Sequence, residues 1–376
     1  MSETIHLDQL VDPFEAKVVV VRDGAGSIVD ARFDLAGLPR LDPMLVGKDV
    51  AGVPDLVKML CGICPVAHHL AGVAALESLS GIAPDDLPRA VRDQRLLLHH
   101  GSVLDSLASR FIGRDRELAV RLRRLGKLAM KAAGAPGHFP DVAVVDAGGA
   151  LDPLGGHVGL LGPETKGVER TLPAAEWAAR VTETRPGAPD PRPVIELESA
   201  DGETGTWPYR VGPIARARFR AGLDGAATTD PFRAQLLTLA DSTSALMSLA
   251  DCPAAAPAEP LDEGAWASSS IVAGTGIGVV DGPRGLLAHE YAVDDEGTVT
   301  GCRILTPTAQ NEAWLAGMLG ASLAAAGDGD GEREAWAESA IRAADPCLPC
   351  TSAPEGGMGV TLEERGGSGA QKEGGR

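Results

Sequence analysis

Hydrophobic and polar positions along the chain separate segments of strand character from segments of helical character. Apolar residues over 17–33, interrupted by the turn sequence Asp23-Gly24-Ala25-Gly26, predict a β-hairpin. A second hairpin-like run lies near residues 270–305. Apolar residues recur at helical spacing elsewhere. The segments with that spacing are 67–79, 88–112, 114–132, 232–249, 311–325 and 332–344. The pattern therefore predicts several long helices and two hairpins.

Composition excludes some classes of partner. The formal net charge of −18 argues against nucleic acid, because phosphate binding needs a basic face. No run of about 18 apolar residues is present, so we expect no membrane span. The first residues lack the basic and then apolar pattern of a secretory signal, and the cysteine usage fits a reducing compartment. We expect a cytoplasmic protein, with any membrane association made through partner subunits.

Four of the six cysteines form two Cys-x-x-Cys pairs, Cys61/Cys64 and Cys347/Cys350. Thiolates at this spacing can bind one ion, and soft sulfur donors select zinc, copper, nickel or iron. A structural zinc site and a redox pair are the usual interpretations. However, zinc ribbons place their pairs roughly 15–20 residues apart. Pairs near opposite ends of a large domain favour a buried cofactor site instead.

The residues around these pairs resemble a known family. Cys-Gly-Ile-Cys-x-x-x-His over 61–68 and Asp-Pro-Cys-x-x-Cys over 345–350 are similar to the two signatures of the nickel–iron hydrogenase large subunit. Val-Gly-Pro-Ile-Ala-Arg over 211–216 resembles a further family segment. The resemblance implies a mainly α fold with small β-sheets at one side (α+β) and long central helices. We treat residues 1–352 as one domain. The tail over 353–376 is rich in glycine, glutamate and lysine, so we expect it to be disordered, and its removal on maturation is open.

The resemblance also implies the metal centre and its reaction. Nickel would be bound by Cys61, Cys64, Cys347 and Cys350, and Cys64 and Cys350 would bridge to an iron that carries cyanide and carbon monoxide. The implied reaction is the reversible heterolytic cleavage of H2. A proton would pass to Cys347 or to Arg284, and Glu15 would carry it outward.

Further residues are implied to surround the metals. His68 would hydrogen-bond a bridging cysteine sulfur, and Asp105 and Asp345 would hold Arg284 in place. Pro283 belongs to the Pro-Arg-Gly segment that carries Arg284. Pro307 and Thr308 would line the iron's diatomic ligands, with Thr308 as a hydrogen-bond donor. Asp42 matches the position of a magnesium-like site, but the departures at Asp42 and Ala353 indicate that this site is altered or absent.

The remaining cysteines are too few for an iron–sulfur cluster, which needs about four. We therefore expect that the partner in a heterodimer is an iron–sulfur small subunit, and that maturation proteins insert nickel and iron. Three alternatives are an H2 sensor with the same metal site, a non-catalytic structural subunit, and a four-cysteine zinc protein. The presence of all four cysteines argues against the structural subunit, and metal analysis separates zinc from nickel and iron.

Overall fold

The structure is a computed structural model of the chain. It describes residues 15–33, 42–82, 89–134, 157–161, 168–173, 181–183, 193–198, 204–207, 209–221, 230–250, 272–327 and 329–366.

Helices and short sheets alternate along these residues. The helices are α1 (Val53–Val57), α2 (Pro65–Leu79), α3 (Arg89–Ala108), α4 (Arg116–Ala132), α5 (Pro213–Ala221), α6 (Pro231–Ala250), α7 (Pro307–Gln310), α8 (Glu312–Ala325) and α9 (Asp330–Ala344). The strands are β1 (Glu15–Arg22), β2 (Ile28–Phe33), β3 (His157–Leu161), β4 (Val168–Pro173), β5 (Val181–Glu183), β6 (Pro193–Glu198), β7 (Thr204–Trp207), β8 (Tyr209–Arg210), β9 (Gly274–Gly282), β10 (Gly285–Val293), β11 (Val299–Leu305) and β12 (Gly359–Gly366).

The strands form three-stranded sheets, two of which contain the predicted hairpins. β1 and β2 pair antiparallel in the first hairpin. β9, β10 and β11 form the second antiparallel sheet in the order β11-β10-β9. Two further sheets have the orders β4-β3-β8 and β5-β6-β7. Both predicted hairpins are thus present, and each gains a third strand, β12 in the first sheet and β11 in the second.

Helix α2 lies directly against strand β9, and glycine makes that approach possible. A Cβ added at Gly278 would lie 2.0 Å from the carbonyl oxygen of Ala71, and one at Gly276 would lie 2.3 Å from that of Ala75. Only a residue without a side chain fits at these distances. The glycine-rich run over 274–278 therefore serves helix-to-strand packing.

Helix α3 packs against three other helices, α4, α6 and α2. Arg95 of α3 and Glu77 of α2 form an ion pair of 2.8 Å, and both side chains are almost fully buried. A charged pair at that depth costs desolvation energy on both sides, so it persists only with good geometry. It fixes the packing of α3 on the helix that follows the first cysteine pair.

The C-terminal segment corrects the predicted disordered tail. Strand β12 pairs in parallel with β1 from Glu15↔Gly359 to Arg22↔Gly366. Met358 and Val360 are buried in the same cluster as Val18 and Val20 of β1. Hydrophobic burial and the ladder of hydrogen bonds therefore order residues 359–366, and disorder is the wrong expectation for them. Residues 367–376 lie outside the described part of the chain.

In the described ranges, no helix has both the length and the apolar character needed to cross a lipid bilayer.

Candidate metal centre

Sulfurs from both Cys-x-x-Cys pairs meet in one cluster. Cys61 Sγ lies 3.1 Å from Cys64 Sγ and 3.2 Å from Cys347 Sγ. Cys64 Sγ lies 3.3 Å from Cys347 Sγ. A metal ion binds thiolate sulfur at roughly 2.3 Å, so two sulfurs on one ion lie within roughly 4.6 Å of each other. All three distances meet that limit, and the three residues fit a single soft metal ion.

The first pair is positioned by the start of α2. Cys64 immediately precedes the helix, and Pro65 occupies its first position, where a missing N–H costs nothing. The backbone N–H of His68 donates to the carbonyl of Cys64, so the His68 side chain lies one turn beyond the cysteine. Cys61, Cys64 and His68 have potential ligand atoms within 4.8 Å of one another.

The second pair is positioned by the end of α9. Asp345 caps that helix with φ 48 and ψ 55, a left-handed conformation that few residues other than glycine adopt. Among the described residues it is the one non-glycine residue with positive φ. This turn leads the chain through Pro346 into Cys347. The backbone N–H of Cys347 then donates to Thr308 Oγ1 at 2.8 Å, which fixes the cysteine against α7.

Cys350 lies apart from this cluster. Its side chain is 2% exposed and packs in the hydrophobic cluster with Val18, Leu315 and Met358. Burial raises the pKa of the Cys350 thiol to about 11. In the described residues, no sulfur–sulfur contact involves Cys350. The structure therefore brings together three of the four predicted metal ligands and leaves the fourth in the apolar core.

Protonation is unequal across the three clustered sulfurs. Hydrogen bonds from Cys347 and Cys64 lower the pKa of Cys61, although burial acts in the opposite direction. The same contacts raise the pKa of Cys64, and the hydrogen bond with Cys61 raises that of Cys347 to about 12. These directions favour thiolate at Cys61, to which Cys64 Sγ donates a hydrogen bond. A thiolate is the form that binds metal.

A buried hydrogen-bond chain, which the motifs did not reveal, extends from His68. His68 Nδ1 lies 3.0 Å from His289 Nε2, and His289 Nδ1 lies 2.6 Å from the Tyr291 hydroxyl oxygen. Burial raises the pKa of Tyr291 and lowers that of His289, so tyrosine keeps its proton and His289 is neutral. With Tyr291 donating to His289, and His289 to His68, the free Nε2–H of His68 faces the cysteine sulfurs. This is the outer support that orients a metal-side histidine.

Arg284 is held by a buried carboxylate, as the resemblance implies, and by a serine. Its guanidinium lies 3.1 Å from Asp345, and its Nη1 donates to Ser106 Oγ at 2.8 Å. A second arginine, Arg110, approaches the same carboxylate at 2.6 Å and donates to Thr351 Oγ1 at 2.5 Å. Sequence reasoning missed Arg110 and Ser106.

Two guanidinium groups therefore share one buried carboxylate beside the sulfurs. Burial by itself lowers the pKa of Arg284, but the neighbouring carboxylate of Asp345 outweighs it, and the pKa is raised. Burial lowers the pKa of Arg110, partly offset by Asp345. With both arginines charged, the group carries one net positive charge, which favours thiolate at the neighbouring cysteines.

Asp105 does not take the predicted position near Arg284. Its carboxylate pairs with Arg123 of α4 at 2.9 Å, on a partly exposed surface. Residues that follow each other in a helix are about 100° apart around its axis. Ser106 therefore faces the centre while Asp105 faces α4, and the assignment of Asp105 as the acid that holds Arg284 is wrong.

The other predicted residues are placed as follows. Pro283 is buried in the turn between β9 and β10. Pro307 and Thr308 line a cavity of about 10 Å³ together with Arg284. Thr308 Oγ1 accepts a hydrogen bond from Cys347, in addition to any bond it donates. Glu15 is the first residue of β1 and Asp42 begins a short 3-10 helix, but their side chains lie outside the described structure.

Comparisons with known proteins support the family indicated by the motifs. No protein-family model matches the chain. The chain is 24% identical over 439 residues to a subunit of the F420-non-reducing hydrogenase of Methanothermobacter marburgensis, covering 90% of this chain and 92% of that protein. It is 24% identical over 383 residues to "Hydrogenase expression/formation protein HupK" of Bradyrhizobium diazoefficiens, covering 89% and 95%. A solved structure of an NAD+-reducing [NiFe]-hydrogenase matches with a TM-score of 0.62 and 22% identity, covering 88% of this chain and 95% of that chain.

The fold is therefore that of a nickel–iron hydrogenase large subunit, and the predicted α+β class is confirmed. The resemblance to this family, first indicated by the two cysteine motifs, is confirmed by relatives that align over about nine-tenths of the chain.

Proposed function

We propose that this chain is the catalytic subunit of a nickel–iron hydrogenase, which cleaves H2 reversibly and heterolytically. The observation that carries the proposal is the convergence of Cys61 and Cys64 with Cys347, which is 286 residues away from Cys61 in the sequence. The relatives named as hydrogenase subunits support the same reaction. The fold likeness by itself supports only the architecture.

The donor set fits the expected metals in its chemistry. Sulfur ligands suit nickel and iron, and the three sulfurs lie close enough to share one ion. We propose that Cys61, Cys64 and Cys347 hold nickel and that Cys64 also contacts an iron carrying cyanide and carbon monoxide. Cys350 would complete the set by leaving its hydrophobic cluster. When bound, the metals supply the Lewis acidity that polarises H2.

The residues of the chain then manage protons and charge. Cleavage of H2 yields one proton and one hydride, and release of the hydride as a second proton leaves two electrons. We propose that Cys347 Sγ receives the first proton and that Glu15 passes it toward solvent. Arg284 does not fit the role of base that the resemblance implied, because its raised pKa keeps it protonated. It is instead a fixed cation, held by Asp345 and Ser106. The His68 Nε2–H stabilises thiolate at the cysteines it faces.

The two electrons need an acceptor outside this chain. Cys252 and Cys302 are the cysteines left over, too few for an iron–sulfur cluster. We therefore propose that the electron-accepting partner in a heterodimer is an iron–sulfur small subunit. We also propose a cytoplasmic location. A relative from Archaeoglobus profundus, named for an iron-sulfur subunit of an F420-non-reducing hydrogenase, supports this kind of assembly. Maturation proteins would insert the metals.

Metal analysis of the chain, purified with its partner, tests the proposal. We expect nickel and iron at about one equivalent each, infrared bands from cyanide and carbon monoxide, and H2-dependent dye reduction. Cys347→Ser should abolish nickel binding, whereas Cys302→Ser should leave it intact, since Cys302 packs in a different hydrophobic cluster from the three sulfurs. One equivalent of zinc with no nickel would reject the proposal.

The position of Cys350 favours a second candidate, a protein that assembles the metal centre rather than turning over H2. Three sulfurs and a histidine provide enough ligands to hold one iron fragment before it is transferred to another protein. The HupK relative, which is named for hydrogenase expression and formation, aligns over 89% of the chain. On this alternative the purified chain would contain iron without nickel and would not reduce a dye with H2.

A further inference from the structure

A second cavity, of about 20 Å³, lies beside Arg284 on the side of helices α5 and α6. Its lining includes Arg210, Gln235, Trp314, Arg284 and Asp345. A cavity needs roughly 10–15 Å³ of free volume to hold one water molecule. The space therefore admits a group of about one to three heavy atoms.

Arg210 is the unusual member of this lining. Its side chain is 5% exposed, and its guanidinium carbon lies 3.7 Å from the centre of the Trp314 ring. Within the described residues no carboxylate pairs with it, and its Nε has no hydrogen-bond acceptor. A buried cation normally has an anionic partner, because desolvation without one is costly. Arg210 therefore has unused donors at the cavity.

The charged side chains of the lining, two arginines and one aspartate, together carry net positive charge. Arg284 also has a buried Nε without an acceptor. Asp345 brings the one carboxylate, and it is already shared by Arg284 and Arg110. Helices α5 and α6 begin at Pro213 and Pro231, both in the lining, so the positive ends of two helix dipoles face this space.

Gln235 adds a second unsatisfied group. It is 3% exposed, and its Oε1 has no hydrogen-bond partner. The two ends of a glutamine amide are assigned from the surrounding network, and turning the amide by half a turn presents its NH2 group instead. Gln235 can then donate to an acceptor in the cavity. Asn311, by contrast, is fully used in two bonds to the backbone of Val211.

We propose that this cavity binds a small monovalent anion of one to three heavy atoms, such as formate or a halide, with Arg210 as its principal ligand. The anion would complete the coordination that Arg210 and Gln235 lack. Trp314 holds the guanidinium plane in place by stacking. The volume of about 20 Å³ suits an anion smaller than sulfate or phosphate. No cysteine belongs to the lining, although Arg284 and Asp345 are shared with the candidate metal centre.

Titration calorimetry of the full chain with sodium formate tests this proposal. Formamide has nearly the shape of formate but no charge, whereas sulfate is charged but larger than formate. We expect formate to bind and both controls to give no heat. Because burial lowers the pKa of Arg210 to about 9, formate affinity should also fall above that pH.

Two variants of matched charge locate the site. Arg210→Met removes the buried cation and keeps an apolar chain against Trp314, and it should weaken formate binding by roughly 10- to 100-fold, as expected for a lost charge-assisted hydrogen bond. Arg233→Met removes an exposed arginine near the start of α6 and should leave the affinity unchanged. Equal affinities for the two variants, or no formate binding by the native chain, would overturn the proposal.

A crystallographic measurement keeps the test independent of any variant. Bromide soaked into crystals of the native chain should give an anomalous peak between Arg210 and Gln235. Bromide sites confined to the protein surface would contradict the assignment.

Discussion

Replacing Asp345 by asparagine isolates the charge that holds the two arginines. Asparagine has the same size as aspartate and tolerates the left-handed conformation at this position, so neither packing nor backbone strain changes. The variant leaves Arg110 and Arg284 beside a neutral group that is 2% exposed. Asp345→Asn therefore tests whether the carboxylate is needed to stabilise the buried cations.

The expected loss in free energy of unfolding is large for a change from one oxygen to one NH2 group. Removing one partner of a buried ion pair costs about 3–5 kcal/mol, because the other charge stays buried without compensation. Here two cations depend on Asp345, which places the effect toward the upper end. Unfolding entropy is about 2.1 cal/mol/K per residue, which for 376 residues gives roughly 0.8 kcal/mol/K. The predicted change in melting temperature is a decrease of roughly 4–6 °C.

Urea denaturation followed by circular dichroism, together with scanning calorimetry, measures this change. The matched control is Glu117→Gln, which removes a carboxylate from an exposed pair with Arg121 at 4.0 Å and should have no measurable effect. Combining Asp345→Asn with Arg284→Met should recover part of the loss, since one of the uncompensated cations is then gone. A loss below about 1 kcal/mol for Asp345→Asn, or one equal to that of the control, would refute the reasoning.

Three further predictions address the sulfur cluster and the packing beneath it. His289→Leu breaks the chain that orients His68 and should weaken nickel binding by roughly 10- to 100-fold in a competition titration; unchanged affinity would remove His289 from the site. Gly278→Ala should destabilise the chain by about 3 kcal/mol or more, since its Cβ would overlap a helix carbonyl. Gly320→Ala, in α8 with open space around it, should stabilise by about 0.5–1 kcal/mol; equal effects of the two glycine variants in urea denaturation would contradict this account. In the metal-free chain near pH 7, iodoacetamide should modify Cys61, whose pKa is lowered, well before Cys350, whose thiolate forms only toward pH 11. Mass spectrometry that finds Cys350 modified first would show a different arrangement of the sulfurs.

The sequence predicted the secondary structure and the proximity of the two cysteine motifs better than it predicted the residues that contact the cysteines. The two motifs named four cysteines as metal ligands, and the structure brings Cys61, Cys64 and Cys347 together while Cys350 lies apart. Arg110 belongs to no motif and reaches Asp345 only through the packing of α3 near the end of α9. Such a contact depends on tertiary geometry, which no local pattern contains.

Two misses did have a local signal. His289 and Tyr291 are two residues apart in a strand, and period-two spacing places them on the same face of the sheet toward α2. The run from Val360 to Leu362 alternates apolar and polar residues in the manner of a strand. Its glycine- and glutamate-rich flanks suggested disorder, but pairing with β1 and burial of Val360 outweigh that composition.

The position of Cys350 has to be weighed against the strength of metal binding. Its thiol shares one hydrophobic cluster with Met358 and Val360, so the C-terminal strand helps to keep it out of the centre. Burial of so small a side chain stabilises by only about 1–2 kcal/mol. Binding of a metal ion to a structural cysteine site releases roughly 10–16 kcal/mol in total, a few kcal/mol for each ligand. Bound nickel would therefore outweigh the packing and could hold Cys350 in the centre, whereas a protein that only transfers iron would not need this fourth ligand. The metal content of the purified chain, rather than the apolar contacts of Cys350, decides between H2 cleavage and a role in assembly.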